Sequence, residues 1–214
     1  MKFLFYQLFL FYICLANSFK LCVVGGSSGL GKELIYEGLS KKYKILALSN
    51  NPSNIKVPYR GGGLKEKDSE NSYNKNLLLN KNLKIDNYNN FNKYFYENMV
   101  FTLGSGPFEK DYSDIITKNV LKEKNLCLKK IILISAEGVG NSLENSNLGI
   151  KVMNNWYLQD VYRAKNEQEK IILDYKNKNN LEVEIIRPKA LSYGQNIFSI
   201  KSREKLAKEI LDNI

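Results

Sequence analysis

The sequence predicts an α/β fold, in which a doubly wound parallel sheet carries helices on both of its faces. Two observations support this prediction. Short apolar runs alternate with helical patterns along the chain, and the first of these runs ends in a glycine-rich turn that opens a helix. The length of 214 residues suits a single domain, and the hydrophobic fraction of 43% is enough for a normal core.

The first elements form a strand–turn–helix–strand unit, which is typical of a parallel sheet. Lys20–Val24 is a short apolar run that ends in glycines, so we predict a buried strand. A helix with apolar residues at helical spacing follows from Gly31, and Tyr43–Leu48 is a second buried strand. Asn50–Asn80 is polar, contains proline and glycine and lacks a period, which predicts a long excursion outside the sheet.

The rest of the chain continues the alternation. Apolar runs predict four more strands, at Leu83–Ile85 (ending at Asp86), Met99–Leu103, Lys130–Ser135 and Leu181–Ile186. Helical spacing predicts a short helix through Phe91, Tyr94 and Phe95, and then helices at Tyr112–Lys124, Met153–Lys176 and Ser202–Asn213. In the helix at Tyr112–Lys124, the spacing predicts Ile115, Ile116, Val120 and Leu121 on one face.

Residues 1–18 are a separate segment, because Met1-Lys2 precedes the apolar run Phe3–Ala16 and the small polar pair Asn17-Ser18. A basic start, a short apolar stretch and small residues are typical of a secretory signal peptide, and the run is short for a membrane span. We therefore expect a lumenal, secreted or plastid-directed protein. The alternatives are a retained hydrophobic leader and, if the segment is no signal, a cytoplasmic protein.

Composition excludes several classes of function. The net charge is +10, but the lysines are dispersed among asparagines, so we expect no nucleic-acid partner. Histidine is absent, which excludes Ser-His-Asp hydrolases, Cys-His proteases and most catalytic zinc sites, and we expect no metal. Cys22 and Cys127 are expected on non-adjacent strands, so no disulfide between them is predicted.

The glycine turn after the first strand has the residues that a dinucleotide-binding turn needs. Gly25 permits a tight turn, Gly29 lets the backbone approach a pyrophosphate, and Gly31 lets the helix pack closely on the strand. The positive end of the helix then faces the phosphates. The alternative is a glycine turn with a purely structural role. The predicted cofactor-binding residues of the turn are Gly25, Gly26, Ser27, Ser28, Gly29, Leu30 and Gly31.

The segment GGSSGLGK resembles the cofactor turn of the short-chain dehydrogenase/reductase superfamily. Six further segments are similar to its atypical, NmrA-like NAD(P)H-binding branch: ILALSNNPS, Lys84-Ile85-Asp86, IILISAEGVG, AKNEQEKII, EIIRPKAL and KSREKLAKEIL. The resemblance implies a Rossmann-type domain over residues 19–214, with a minimal C-terminal substrate region. It also implies that NAD or NADP is bound.

The residues after the second strand bear on the choice between these cofactors. An acid there accepts from the ribose of NAD, but this chain has Asn50 and Asn51 and no carboxylate that would repel a 2′-phosphate. We expect NADP, with NAD possible as the alternative, and Lys56 or Arg60 within reach of the phosphate. The resemblance further implies cofactor contacts at Asp86, Leu103, Gly104, Lys165 and Pro188.

The catalytic signal is incomplete. Reductases of the resembled superfamily use a tyrosine and a lysine four residues later on one helix face, where the lysine lowers the tyrosine pKa and holds the ribose. The pair here is Tyr162 and Lys165, three residues apart. The position of the usual substrate-binding serine holds Ala136, beside Ser135. Tyr162, Lys165 and Ser135 are the candidate catalytic residues; the alternative for the pair is an exposed helix face.

Three functions are compatible with these residues. The first is an NADP-dependent reductase or dehydrogenase that acts on a small carbonyl or quinone-like substrate. The second is a non-catalytic NADP-binding redox sensor, regulator or assembly factor with a protein partner. The third is a nucleotide-sugar epimerase or isomerase, which would need a larger C-terminal region than Leu191–Ile214.

Overall fold

A computed structural model describes residues 18–61, 63, 80–105, 109–144, 158–193 and 200–214. The signal-peptide prediction and most of the predicted polar excursion lie outside these residues. The chain forms a six-stranded, fully parallel sheet in the order β3-β2-β1-β4-β5-β6. The strands are β1 Phe19–Val24, β2 Ile45–Ser49, β3 Leu83–Asn87, β4 Tyr96–Phe101, β5 Lys130–Ile134 and β6 Glu182–Ile186.

Helices cover both faces of the sheet. They are α1 Gly29–Ser40, α2 Ser113–Val120, α3 Gln159–Asn179 and α4 Arg203–Asp212. Helix α1 packs on α4, and α2 packs on α3. Short 3₁₀ segments lie at Pro52–Asn54, Tyr88–Lys93 and Gly140–Leu143, and β7 Leu191–Ser192 pairs with β8 Lys201–Ser202 in a small second sheet.

The alternation of side chains along β1 shows how the two layers form. Leu21 and Val23 enter one core with α1 and α4, whereas Cys22 and Val24 enter the other core, which includes residues of α2 and α3. All four side chains are fully buried, as expected for the centre of a parallel sheet covered on both faces. The prediction of a doubly wound α/β domain is therefore confirmed.

Two predicted elements differ from the structure. The short helix predicted through Phe91, Tyr94 and Phe95 is a 3₁₀ segment that ends at Lys93, and β4 starts three residues before the predicted Met99. Asn87 caps this 3₁₀ segment by accepting from the backbone N–H of Asn89, a local bond that competes with an α-helix.

The prediction for Ile115 is wrong, because 52% of this residue is exposed. Cys127 lies in a turn before β5 instead of on a strand, and Cys22 is a free buried thiol. The start predicted for the long helix, at Met153, lies outside the described residues; its end is Asn179, where Asn180 adopts the left-handed conformation at φ 52°. In the part of the chain that is described, no helix is long and apolar enough to cross a membrane.

Candidate functional site

The glycine turn lies where the strand order reverses, between the carboxyl ends of β1 and β4. Gly25 has φ +99°, and a Cβ there would lie 2.8 Å from the hydroxyl oxygen of Thr102. A Cβ at Gly31 would lie 2.2 Å from the carbonyl oxygen of Gly25, which is too close for any side chain. Backbone geometry therefore requires glycine at both positions, and this edge of the sheet is where α/β proteins bind ligands.

Hydrogen bonds between hydroxyl groups fix the turn to the neighbouring strands. Ser28 caps α1 by accepting from the N–H of Gly31 at 3.0 Å, and it donates to Thr102 at 3.0 Å. Thr102 in turn donates to the carbonyl of Gly25 at 3.0 Å. On the other side, Ser49 at the end of β2 donates to Ser27 at 2.9 Å. Sequence reasoning missed Thr102 and Ser49, whose only signal was their position at strand ends beside the turn.

The N-terminus of α1 presents donors and positive charge of the kind that binds an anion. The N–H groups of a first helical turn have no acceptor inside the helix, and they carry its positive end. The first turn of α1 contains no acidic side chain that would neutralise this end. Leu30 is buried beneath the turn and packs with α1 and α4.

Two side chains that the sequence analysis did not identify cover Gly29. A Cβ at Gly29 would lie 2.6 Å from the Oη of Tyr193 and 2.9 Å from the Nε of Arg203. The guanidinium of Arg203 lies over the ring of Tyr193, 3.9 Å from its centroid. The C-terminal segment therefore contacts the glycine turn at the position predicted to face a pyrophosphate.

The residues predicted near the adenosine half lie at the ends of β2 and β3. Asn50 and Asn51 are exposed, and Asn50 lies at a cavity of about 630 Å³ that is also lined by Asn87, Tyr88 and residues of α2. Asp86 accepts from the hydroxyl of Tyr94 at 2.5 Å and from Asn90 at 2.7 Å. These hydrogen bonds lower the pKa of Asp86 to about 2, and the bond from Tyr94 has the largest effect.

Arg60, one of the two candidates for contact with a 2′-phosphate, is engaged within the protein. Its guanidinium forms ion pairs with Glu33 at 2.6 Å and Glu37 at 2.5 Å, both on α1, and with Glu204 on α4 at 3.4 Å. Three carboxylates therefore hold this side chain against the α1–α4 pair. Lys56, the other candidate, is exposed.

Lys165 is buried between α3 and the ends of β4 and β5, so it does not lie on an exposed helix face. Its ammonium donates to the carbonyls of Leu103 at 2.5 Å and Ile134 at 2.9 Å, and to the side-chain oxygen of Gln168 at 3.1 Å. Burial lowers the pKa of Lys165 to about 8, and the negative charges of two nearby carboxylates oppose this shift. Gly104, next to Leu103, is exposed.

Tyr162 and Ser135 lie on either side of the turn that follows β5. The hydroxyl of Tyr162 donates to the carbonyl of Glu137 at 2.8 Å. The pKa of Tyr162 is raised, mainly by burial and also by the charge of Glu137, whereas the resemblance implied a lowered pKa. The buried hydroxyl of Ser135 has no hydrogen-bond partner among the described residues. Pro188 is half-buried, and its carbonyl accepts from the N–H of Glu137 at 3.0 Å.

Further polar groups lie beyond Lys165 along α3, and the sequence analysis did not identify these additional residues. Gln168 donates to Thr117 of α2 at 2.8 Å. Glu169 forms a two-bond ion pair with Arg187, at 3.0 and 2.7 Å, which joins α3 to the end of β6. Among the described residues, no group of His, Cys, Asp and Glu side chains is arranged to hold a metal ion.

Comparison with known proteins establishes the fold. No family model and no curated protein sequence matches the chain. Solved structures do match: an anaerobillin reductase, ChuY from Escherichia coli O157:H7, superimposes with a TM-score of 0.60 at 13% identity over 90% of this chain and 88% of that one. The oxidoreductase ylbE from Lactococcus lactis gives a TM-score of 0.60 at 17% identity over 90% and 83% of the two chains.

A third match holds a cofactor. Gre2 from Candida albicans, in complex with NADPH, gives a TM-score of 0.51 at 13% identity over 80% of this chain and 57% of that one. The chain has the fold of these proteins, and at such identities the likeness extends to the fold alone.

Proposed function

We propose that this protein binds NADP and is an oxidoreductase of the NmrA-like, atypical short-chain dehydrogenase/reductase type, with a small carbonyl or quinone-like substrate. The observation that carries the proposal is the turn from Gly25 to Gly31. Backbone geometry requires glycine at Gly25 and Gly31, and the turn joins β1 to the positive end of α1 at the point where the strand order reverses.

The residues present fit a dinucleotide. The first amides of α1, at Gly29 and Leu30, would hold the pyrophosphate, and Asn50 and Asn51 would lie toward the adenosine. A nicotinamide bound on this edge supplies a hydride for transfer to or from a substrate. The buried hydroxyl of Ser135, which has no hydrogen-bond partner within the described part of the chain, supports this site as well, because such a group is normally satisfied by a ligand or by water.

The preference for NADP over NAD rests on charge. Asn50 and Asn51 carry no carboxylate, and the exposed Lys56 follows them closely in the chain. The nearest acid along the neighbouring strand, Asp86, is engaged with Tyr94 and Asn90. Asn50 and Asn51 therefore have no negative charge that would repel a 2′-phosphate.

A non-catalytic NADP-binding protein is the second candidate, and a specific observation favours it. The hydroxyl of Tyr162 is engaged by the carbonyl of Glu137, and the ammonium of Lys165 has three acceptors within the protein. In the reductase, Tyr162 must release Glu137 in order to donate a proton to a substrate oxygen. In the non-catalytic protein, these bonds persist with the cofactor bound.

Oxidation of NADPH across a panel of carbonyl compounds and quinones separates the two candidates. For the reductase, we expect turnover that falls by about 10²–10⁴-fold in Tyr162→Phe, with NADPH affinity unchanged, because general acid assistance acts on the reacting oxygen alone. If the wild type binds NADPH but oxidises it with none of the substrates, the result would instead support the non-catalytic protein. Arg163→Gln, a change at an exposed neighbour on α3, is the matched control.

A further inference from the structure

We propose that Tyr193 and Arg203 form a clamp over the glycine turn. In this proposal, the dinucleotide displaces the hydroxyl of Tyr193 from Gly29, and Arg203 then pairs with the pyrophosphate. The inference rests on the proposed binding of NADP and adds two residues to that site, both from the C-terminal segment.

The position of the clamp is defined by Gly29, the first residue of α1. The Oη of Tyr193 and the Nε of Arg203 lie 2.6 and 2.9 Å from the point that a Cβ of Gly29 would occupy. The space directly above this glycine is therefore filled by two side chains in the present conformation. A pyrophosphate that approaches the backbone at Gly29 must take the place of at least one of them.

The small second sheet sets the clamp in place. Tyr193 directly follows β7, and Arg203 directly follows β8, so the β7–β8 pairing brings the two side chains together. Arg203 also donates to the carbonyl of Leu191. The backbone N–H of Tyr193 donates to the carbonyl of Gly63 at 2.8 Å, and its ring lies 5.6 Å from that of Tyr59.

The charges around the clamp favour an anion of the pyrophosphate type. Arg203 begins α4, and it lies beside Gly29, which begins α1. The guanidinium of Arg203 therefore lies beside the positive end of α1, whose first turn contains no acidic side chain. The acid nearest in sequence, Glu204, is engaged by Arg60 at 3.4 Å and by Lys208 at 2.7 Å. Guanidinium groups match phosphate oxygens with two parallel hydrogen bonds.

The two residues have different roles in this mechanism. Arg203 provides a positive charge that pairs with the bound phosphates, so its loss lowers the affinity for every ligand that contains a pyrophosphate. Tyr193 occupies the site in the free protein, so its removal lowers the barrier to binding. Arg203 is therefore a cofactor-binding residue, and Tyr193 is a gate.

Calorimetric titration of the full chain with ADP and with adenosine tests the role of Arg203, because the two ligands differ only in the pyrophosphate. We expect Arg203→Gln to weaken ADP binding about tenfold to a hundredfold, the usual effect of losing a charge-assisted hydrogen bond, and to leave adenosine binding unchanged. Arg203→Lys should restore part of the ADP affinity. The control Arg163→Gln, at a residue whose side chain is 52% exposed, should change neither ligand.

Stopped-flow measurement of NADPH binding tests Tyr193. We expect a faster association for Tyr193→Ala than for the wild type. Equal ADP affinity in the wild type, Arg203→Gln and Arg203→Lys would overturn the clamp and leave the proposed function standing. A wild type that binds neither ADP nor NADPH would overturn the proposed function, and the clamp with it.

Discussion

The ammonium of Lys165 donates a hydrogen bond of 2.9 Å to the main-chain carbonyl of Ile134, the last residue of β5. A second bond, to the carbonyl of Leu103, reaches the residues that follow β4. One buried side chain of α3 thus joins the carboxyl ends of two adjacent strands at the edge where the candidate site lies. Lys165 supports this edge of the sheet whether or not it also contacts a ribose.

Burial of Lys165 leads to a prediction about the pH dependence of stability. Its pKa is about 8 in the folded protein, against an ordinary value of 10.5. Between these values the unfolded chain binds more protons at this group than the folded chain does, so its contribution to the free energy of unfolding rises with pH. Lys165→Met lacks this contribution.

Urea unfolding at about pH 7 and about pH 10 measures the effect. We expect the free energy of unfolding of the wild type, minus that of Lys165→Met, to increase over this interval. Other titrating groups cancel in the difference. A difference that is the same at both pH values would mean that Lys165 has equal pKa values in the folded and unfolded states.

The glycine turn leads to a prediction about stability. In Gly31→Ala the added Cβ would meet the carbonyl oxygen of Gly25 at 2.2 Å, so the backbone must shift, and we expect a loss of roughly 1–3 kcal/mol. We expect this loss of stability even though alanine has a higher helix propensity than glycine. Thermal unfolding provides the measurement.

Gly104→Ala is the matched control for that substitution, because a Cβ there would have an ordinary contact of 3.9 Å with Lys165. We expect its melting temperature to stay close to that of the wild type. If both variants melt alike, the close packing of α1 on the turn is not what requires glycine at position 31.

The absence of an acid after β2 leads to a prediction about cofactor choice. Asn50→Asp should shift the preference from NADPH toward NADH, because a carboxylate at this exposed position repels the 2′-phosphate. The ratio of the two dissociation constants is the quantity to measure. Asn54→Asp adds the same charge to an exposed residue at the end of the neighbouring 3₁₀ segment and should leave the ratio unchanged. A wild type that clearly prefers NADH would contradict the proposal for NADP.

The fold and the glycine turn could be predicted because their signals are local. Strands β2 and β5 are nearly continuous apolar runs, ILALS and KIILI, and Gly25 and Gly31 stand where a tight turn and close packing leave no room for a side chain. The prediction of a helix through Phe95 failed because the side chain of Asn87 caps a 3₁₀ segment there, a choice that apolar spacing does not reveal.

The remainder of the site depends on contacts between distant parts of the chain. Tyr193 and Arg203 reach Gly29 through the pairing of β7 with β8, for which the sequence has no local pattern. Arg60 was one of two candidates for a phosphate contact because it is basic and follows β2. Two acids of α1, Glu33 and Glu37, hold Arg60. They lie four residues apart and therefore on one helix face, and this spacing was the signal in the sequence for a basic partner.

Calorimetric titration of the purified chain with NADPH tests the central claim most directly, with Gly29→Val as the comparison. The wild type should bind one NADPH per chain. Gly29→Val should bind none, because a branched side chain there blocks the approach of the pyrophosphate to the turn. The atoms nearest to the added Cβ belong to the side chains of Tyr193 and Arg203, so we expect the variant to fold, and circular dichroism checks this. A wild type that releases no heat with NADPH, or a folded Gly29→Val that binds it with wild-type affinity, would contradict the assignment of this turn as the cofactor site.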